Sequence, residues 1–490
     1  MDHSVAPVVD ALAEYQRLDR YGFTPPGHRQ GRGADPRVRE VIGGALALDV
    51  LATAGLDDRT SSGGYLQQAQ ELMADAVGAD HAFFSTCGSS LSVKASILAV
   101  TRGEGDILIG RDVHKSVVAG LVLSGLQPRW IEVRYDEELH LAHPPSPDAV
   151  ERMWQRYPDA SAALVTSPAP YGTCTDLEAI ADICHSRGKP LIVDEAWGAH
   201  LPFHESLPTW AMDAGADICV VSVHKMGIGF EQGSVYHLQG GLVDPVRLKQ
   251  CADVLATTSS NVLLYAAIDG WRRQMVEHGH ELLSRTLELT ERVRADIESI
   301  EGVHVLRDEL VSEEASHDLD PLHVLIDVGA LGVSGYQVAD WLRAEHRIDM
   351  GLSDHRRVEA TLSLADDEAT TGRLLEALRQ LPKAAERFAT PPTVACPSGE
   401  AFVPQPARLP RDAFFGPVET VPVAGAAGRI CAEQLTPYPP GIPAILPGEV
   451  IVSEVVDYLR SGLAAGMVIP DAADPSLETV RVVRELPGEL

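Results

Sequence analysis

At 490 residues the chain is too long for one ordinary core, so two or three packed domains are expected. Hydrophobic residues at 45%, charged at 22% and aromatics at 5% give an ordinary globular profile, with no apolar run long enough to cross a bilayer. A formal net charge of -30 repels phosphate backbones and anionic lipid, which disfavours nucleic-acid and membrane binding and leaves a weak pull on small cations.

The start, MDHSVAPVVDALAEYQ, has neither the basic beginning nor the apolar stretch of a signal peptide, and a cytoplasmic protein is expected. The seven cysteines, Cys87, Cys174, Cys184, Cys219, Cys251, Cys396 and Cys431, are scattered, odd in number and without a CxxC pair. That pattern argues against a metal cluster or a disulfide framework and for reduced thiols.

In chain order, HAFFST (81–86), DILIG (106–110), SAALVTSP (161–168), PLIVDEA (190–196) and DICVVSVHK (217–225) read as buried strands. Amphipathic stretches separate them, such as DLEAIADICHSRG (176–188), which ends on a glycine. The alternation predicts an α/β sheet, mostly parallel, with helices on both faces. One extended helix is expected from about 271 to 303. A strand at 321–328, a helix capped by Ser334 and a strand at 357–365 then form a smaller α/β unit. Beyond about 390 proline and glycine rise, around PYPPGIPAILPGE (437–449), and a third, C-terminal piece is expected there.

Arginine fills nearly every basic position, and the only lysines are Lys94, Lys115, Lys189, Lys225, Lys249 and Lys383. A lysine amine can be deprotonated by its surroundings and act as a nucleophile, which a guanidinium cannot. Lys94, Lys249 and Lys383 fall in helical segments and Lys189 in a turn. Lys225 ends a continuous apolar strand in VVSVHKMGIGFEQGS, and ligands of open α/β sheets gather at the carboxyl ends of strands. Ser222 and His224 stand beside it as possible phosphate donors. Asp194 closes the strand before, in PLIVDEAWGAH, where a carboxylate could hold a protonated pyridine nitrogen. Alone it would more simply cap a helix, but its pairing with Lys225 reverses that balance. Gly88, Ser89 and Ser90 sit at a strand-to-helix junction that favours a phosphate. His114 follows DILIG after a short turn and could stack on a planar cofactor.

These elements share their order and wording with a known family. The sequence resembles the bacterial ornithine/lysine/arginine decarboxylases, a branch of the fold-type-I pyridoxal-phosphate enzymes. The likeness runs from TPPGHRQGRG (24–33) to DAADPSLETVRVV (471–483) and is carried by RDVHKS (111–116), DEAWGAH (194–200), SVHKMG with EQGSVYHLQG (222–240), and PYPPGIPAILPGE. It implies an α/β large domain of mostly parallel sheet at 26–270 after an N-terminal segment at 1–25. A smaller α/β domain with its connecting helix follows at 271–390, and a C-terminal α+β domain at 391–490.

The resemblance further implies pyridoxal 5'-phosphate as cofactor and no metal. Lys225 would be the Schiff-base lysine and Asp194 the partner of the ring nitrogen. His114 and Ala196 would pack on the two ring faces, and Gly88, Ser89, Ser90, Ser222 and His224 would hold the phosphate. Trp197 would line the substrate side, Thr257 and Thr258 would reach toward a partner subunit's cofactor, and Glu449 would meet the substrate's distal cation. The chain departs from the family wording at Cys87-Gly88-Ser89-Ser90, at Ala169-Pro170 and at Ser259-Ser260-Asn261. About twenty residues precede TPPGHR, too few for the wing that builds decamers in larger members, so a homodimer is expected.

The activity implied is loss of carbon dioxide from arginine, lysine or ornithine, or a modified relative, to give the amine. The competing readings are transamination or an oxygen-dependent decarboxylation on the same residues, and a catalytically silent protein that kept the fold.

Overall fold

The computed structural model describes residues 1–51, 56, 64–101, 103–313, 315–399, 406–438 and 441–484. The chain forms two compact units, Met1–Ala99 with Ile192–Leu283, and Val100–Leu191 with Ser284–Leu490.

In the first unit the strands His81–Ser85, Ser234–Leu238 and Ile218–Ser222 lie side by side, the middle one antiparallel to both neighbours. Ile218–Ser222 then pairs in parallel with Ile192–Asp194. ICVVS and SVYHL are buried at every position, as expected of strands covered on both faces, which read as continuous apolar runs. Helix Tyr65–Ala76 sends Gln70 to the sheet, where its Oε1 accepts from the Phe84 N–H at 2.9 Å.

The long helix begins at Val262 rather than near 271 and runs to Glu298. Its opening residues, VLLYAAID, lack the polar face from which a helical period can be read. Inside it Arg272 and Asp269 are both fully buried and joined at 2.8 Å. Arg272 also donates to the carbonyls of His3 and Val5 at 2.9 and 2.6 Å, and Asp269 accepts from the Val8 N–H at 2.8 Å. The first residues of the chain are thereby fastened to a buried ion pair.

In the second unit Asp106–Gly110 pairs in parallel with both Gln127–Ile131 and Ala163–Thr166. The accompanying helices start on polar caps: Ser146 for Pro147–Arg156 and Asp176 for Leu177–His185. A separate antiparallel sheet has the order His304–Leu306, His323–Asp327, Arg357–Thr361, Leu352–Ser353. Its apolar face (Val324, Ile326, Val358) packs with Leu378 and Leu381 of helix Glu368–Ala385. Ser334 caps helix Gly335–Trp341 in a reciprocal box with Gln337, as the sequence indicated. Toward the C-terminus Val418–Pro422 and Thr479–Val483 form a two-stranded sheet, and Leu459 of helix Ser453–Ala465 joins Cys431 and Val482 in a core of its own. Pro439 and Pro440 of the proline-rich motif lie outside the described residues. Among the described residues no helix is long and apolar enough to cross a membrane.

Candidate active site

The first unit gathers most of the expected site. Strand Ile218–Ser222 does not carry Lys225 at its own end. It passes into a helical turn, Val223–Met226, and this turn presents the lysine. Close backbone packing requires a small residue next: a side chain at Gly227 would meet the Val223 carbonyl at 2.5 Å. The Lys225 Nζ lies 4.2 Å from the centre of the Trp197 ring.

Burial disfavours the lysine's charge and pulls its pKa from 10.5 down to about 8, while the Asp194 carboxylate works in the opposite direction. Asp194, 3% exposed, is pushed up to about 6 by the same desolvation, against the pull of Lys225 and a hydrogen bond from the Ala196 backbone. Its Oδ1 is buried without a hydrogen-bond partner. A buried carboxylate oxygen in that condition calls for a donor, and the protonated nitrogen of a pyridine ring fits it.

Around the pair the chain supplies an anion cradle. Gly88 adopts φ +74°, a left-handed conformation that glycine takes without strain, and starts helix Gly88–Val100. Ser89 follows in the first turn and accepts a 2.7 Å hydrogen bond from the Ser222 hydroxyl, with Ser90 beside it. His224 Nδ1 lies 3.3 Å from the Gly233 carbonyl, and burial lowers its pKa. A bound anion would draw that imidazole toward its charged, doubly donating form. Ala196 is buried and its carbonyl accepts from the Ser222 N–H at 3.3 Å. Thr258 is exposed, in a loop where Thr257 and Ser259 hydroxyls meet at 3.1 Å. The donor set and the orphaned Asp194 oxygen fit pyridoxal phosphate.

His114 and Glu449 belong to the second unit. His114 caps helix Lys115–Ser124, its Nδ1 accepting from the Ser116 N–H at 3.2 Å. Glu449 is 6% exposed and already has a cation: Arg111 lies 3.5 Å from its Oε2, which also accepts from the Leu446 N–H at 3.0 Å. Its Oε1 has no hydrogen-bond partner. Arg111 bonds the carbonyls of Pro443 and Ala444 at 2.7 and 3.1 Å, so RDVHKS and the proline-rich motif, far apart in sequence, are tied together. Arg111 was passed over in the sequence, although it opens one of the motifs that carried the resemblance.

Glu195 was passed over as well. It is fully buried, its pKa is driven well above the carboxylate range, and the Cys219 thiol donates to its Oε2 at 3.1 Å. Burial thus works against its charge, and its Oε1, like Asp194 Oδ1, is buried without a hydrogen-bond partner. The DEA wording contains it, but nothing in a strand-end acidic pair says which member turns to the ligand side.

The architecture is that of the fold-type-I pyridoxal-phosphate enzymes. Lysine decarboxylase A of Pseudomonas aeruginosa superposes with a TM-score of 0.81 at 22% identity, over 98% of this chain and 81% of that one. Ureidoglycine-glyoxylate aminotransferase of Bacillus subtilis superposes at 0.54 and 14%, over 72% and 91%. The chain belongs to the Orn/Lys/Arg decarboxylase family: its major domain matches residues 6–370 and its C-terminal domain residues 393–470. Similar curated proteins include the arginine decarboxylase of Bacillus subtilis, 36% identical over 99% of both chains. That of Bacillus anthracis is 37% identical over 98% of this chain and 97% of its own.

Proposed function

We propose that the chain removes carbon dioxide from a basic L-amino acid, arginine before lysine or ornithine, with pyridoxal 5'-phosphate held at Lys225. The observation that carries this reading is half-buried Lys225 with buried Asp194, a lysine pulled toward neutrality within electrostatic reach of a carboxylate with an unused oxygen. The choice of arginine rests on the names of relatives that match this chain from end to end.

When bound, the cofactor supplies an electron sink for the bond broken at the substrate's α-carbon. Lys225 offers the amine that holds it, and Asp194 Oδ1 keeps the ring nitrogen protonated. Ser89, Ser90, Ser222 and His224, with the amides at the start of helix Gly88–Val100, hold the phosphate. Ala196 packs against the ring, and Trp197 shields the lysine from water. Thr258 serves a neighbouring subunit in a homodimer. In the second unit His114 keeps the ring-stacking role and Glu449 Oε1 the recognition of the distal cation. Arg111, by occupying Oε2, holds that carboxylate in one orientation.

Incubation with arginine, lysine and ornithine, with carbon dioxide, oxygen and products measured, tests this reading. Release of carbon dioxide and the matching amine without oxygen uptake is expected, and Lys225→Ala abolishes it together with the cofactor's visible absorbance. Oxygen consumption, or an unaltered Lys225→Ala variant, overturns it.

A further inference from the structure

Three segments of the second unit converge on one cluster of side chains. His140 ends the turn between Tyr135–Asp136 and Leu141–Ala142. His355 lies in the turn between Leu352–Ser353 and Arg357–Thr361, and Cys396 in the chain between helices Glu368–Ala385 and Pro410–Phe415. His140 Nδ1 and His355 Nε2 are 2.9 Å apart, and the Cys396 Sγ lies 3.5 and 3.6 Å from the same two atoms. All three residues are half-buried.

Three features set this triangle apart from a chance meeting of polar side chains. First, three donor atoms of metal-ligating type face one another. One proton suffices between the two ring nitrogens, and the Cys396 thiol also hydrogen-bonds the Tyr135 side chain; a cation would take both ring nitrogens and the sulfur together. Second, the separations fit. A tetrahedral zinc ion with Zn–N about 2.05 Å and Zn–S about 2.3 Å sets nitrogen and sulfur about 3.6 Å apart and two nitrogens about 3.3 Å apart. Both sulfur–nitrogen distances are already met, and only the nitrogens need to part by about 0.4 Å. Third, the approach is held by the backbone. His140 takes φ +53°, uncommon for a residue with a side chain. The Arg356 and Arg357 guanidiniums, from the His355 turn, bond the carbonyls of Glu138 and Leu139 just before it. Those two arginines are themselves paired with Asp327 and Asp354, so their charge is locally offset.

We propose that His140, His355 and Cys396 form a binding site for a divalent ion of the zinc type, with a fourth position open to water. The ion would clip the segment after helix Glu368–Ala385 to two turns of the same unit. One thiolate and two imidazoles favour zinc over the hard, oxygen-seeking magnesium and calcium.

Loading the holoenzyme with Co2+, stripping loosely held ions and measuring metal content with the visible spectrum tests this. About one ion per chain with a sulfur-to-cobalt absorption band is expected, displaced by Zn2+. The band disappears in Cys396→Ser, and the ion is lost in His355→Gln. It stays in His280→Gln, which alters the exposed His204–Glu205–His280 cluster. Circular dichroism and unfolding of the metal-free variants separate loss of the site from loss of the fold. A holoenzyme that retains no stoichiometric ion overturns the proposal, as does binding that survives Cys396→Ser and His355→Gln but falls in His280→Gln.

Discussion

Asp194 and Lys225 each occupy a position where burial opposes the charge they would carry in water, and each eases the other's shift. The lysine, brought to about 8, holds an appreciable neutral fraction near physiological pH and becomes mostly neutral above that value. Removing the carboxylate takes away the only influence that raises the lysine's pKa, leaving desolvation alone. In the cofactor-free Asp194→Asn variant, Lys225 therefore titrates below about 8. The rate of cofactor capture, followed against pH, keeps its rising limb but reaches half-height at lower pH than the wild type. A limb that moves upward contradicts the assignment. Even where it captures cofactor faster at low pH, this variant turns over slowly, because an amide cannot keep the ring nitrogen protonated.

Lys225, Asp194 and the serines were legible as residue types at the ends of apolar runs. What the sequence could not display is desolvation. It drives the pKa of Glu195 well above the carboxylate range and that of Asp194 only to about 6, although the two are adjacent and chemically alike.

At the scale of elements, strands buried on both faces announced themselves as unbroken apolar runs, and DILIG coincides with Asp106–Gly110. The antiparallel Ser234–Leu238 was missed because Tyr236 and His237 interrupt its apolar run, yet both are buried. The position of Lys225 moved from a strand end to the following turn for a related reason. Val223 is β-branched and apolar, and continues the strand pattern although its backbone has already turned helical. Caps were more readable, since a Ser or Asp before a helix acts through local bonds alone. Ser334 shows this best, accepting from the Gln337 N–H at 3.2 Å while Gln337 Oε1 accepts from the Ser334 N–H at 3.0 Å. Ser334→Ala should lower stability by about 1 kcal/mol, seen as a lower urea midpoint with an unchanged slope, and leave the substrate's KM as it was.

For the molecule as a whole, two compact units are each built from separated stretches of chain, a division that no shift in composition marks. Proline and glycine do signal the C-terminal region, because they act on the backbone directly. The cluster at His140, His355 and Cys396 had no spacing signature either. Its ligands come from three turns and connections joined only in the folded second unit, and a search for paired cysteines passes over it.

The clamp formed by Arg272 and Asp269 bears on how this enzyme can be produced. A purification handle added ahead of Met1, which is 69% exposed, removes only the exposed ion pair of the α-ammonium with Asp75, and exposed pairs of that kind contribute little. Trimming residues 2–8 strips two carbonyls from a buried guanidinium and an N–H from a buried carboxylate. Each lost contact to a charged group costs about 1.5–3 kcal/mol. Such a shortened protein should unfold at clearly lower urea concentration than the tagged one, so expression vectors for this chain are best designed by extension and never by pruning.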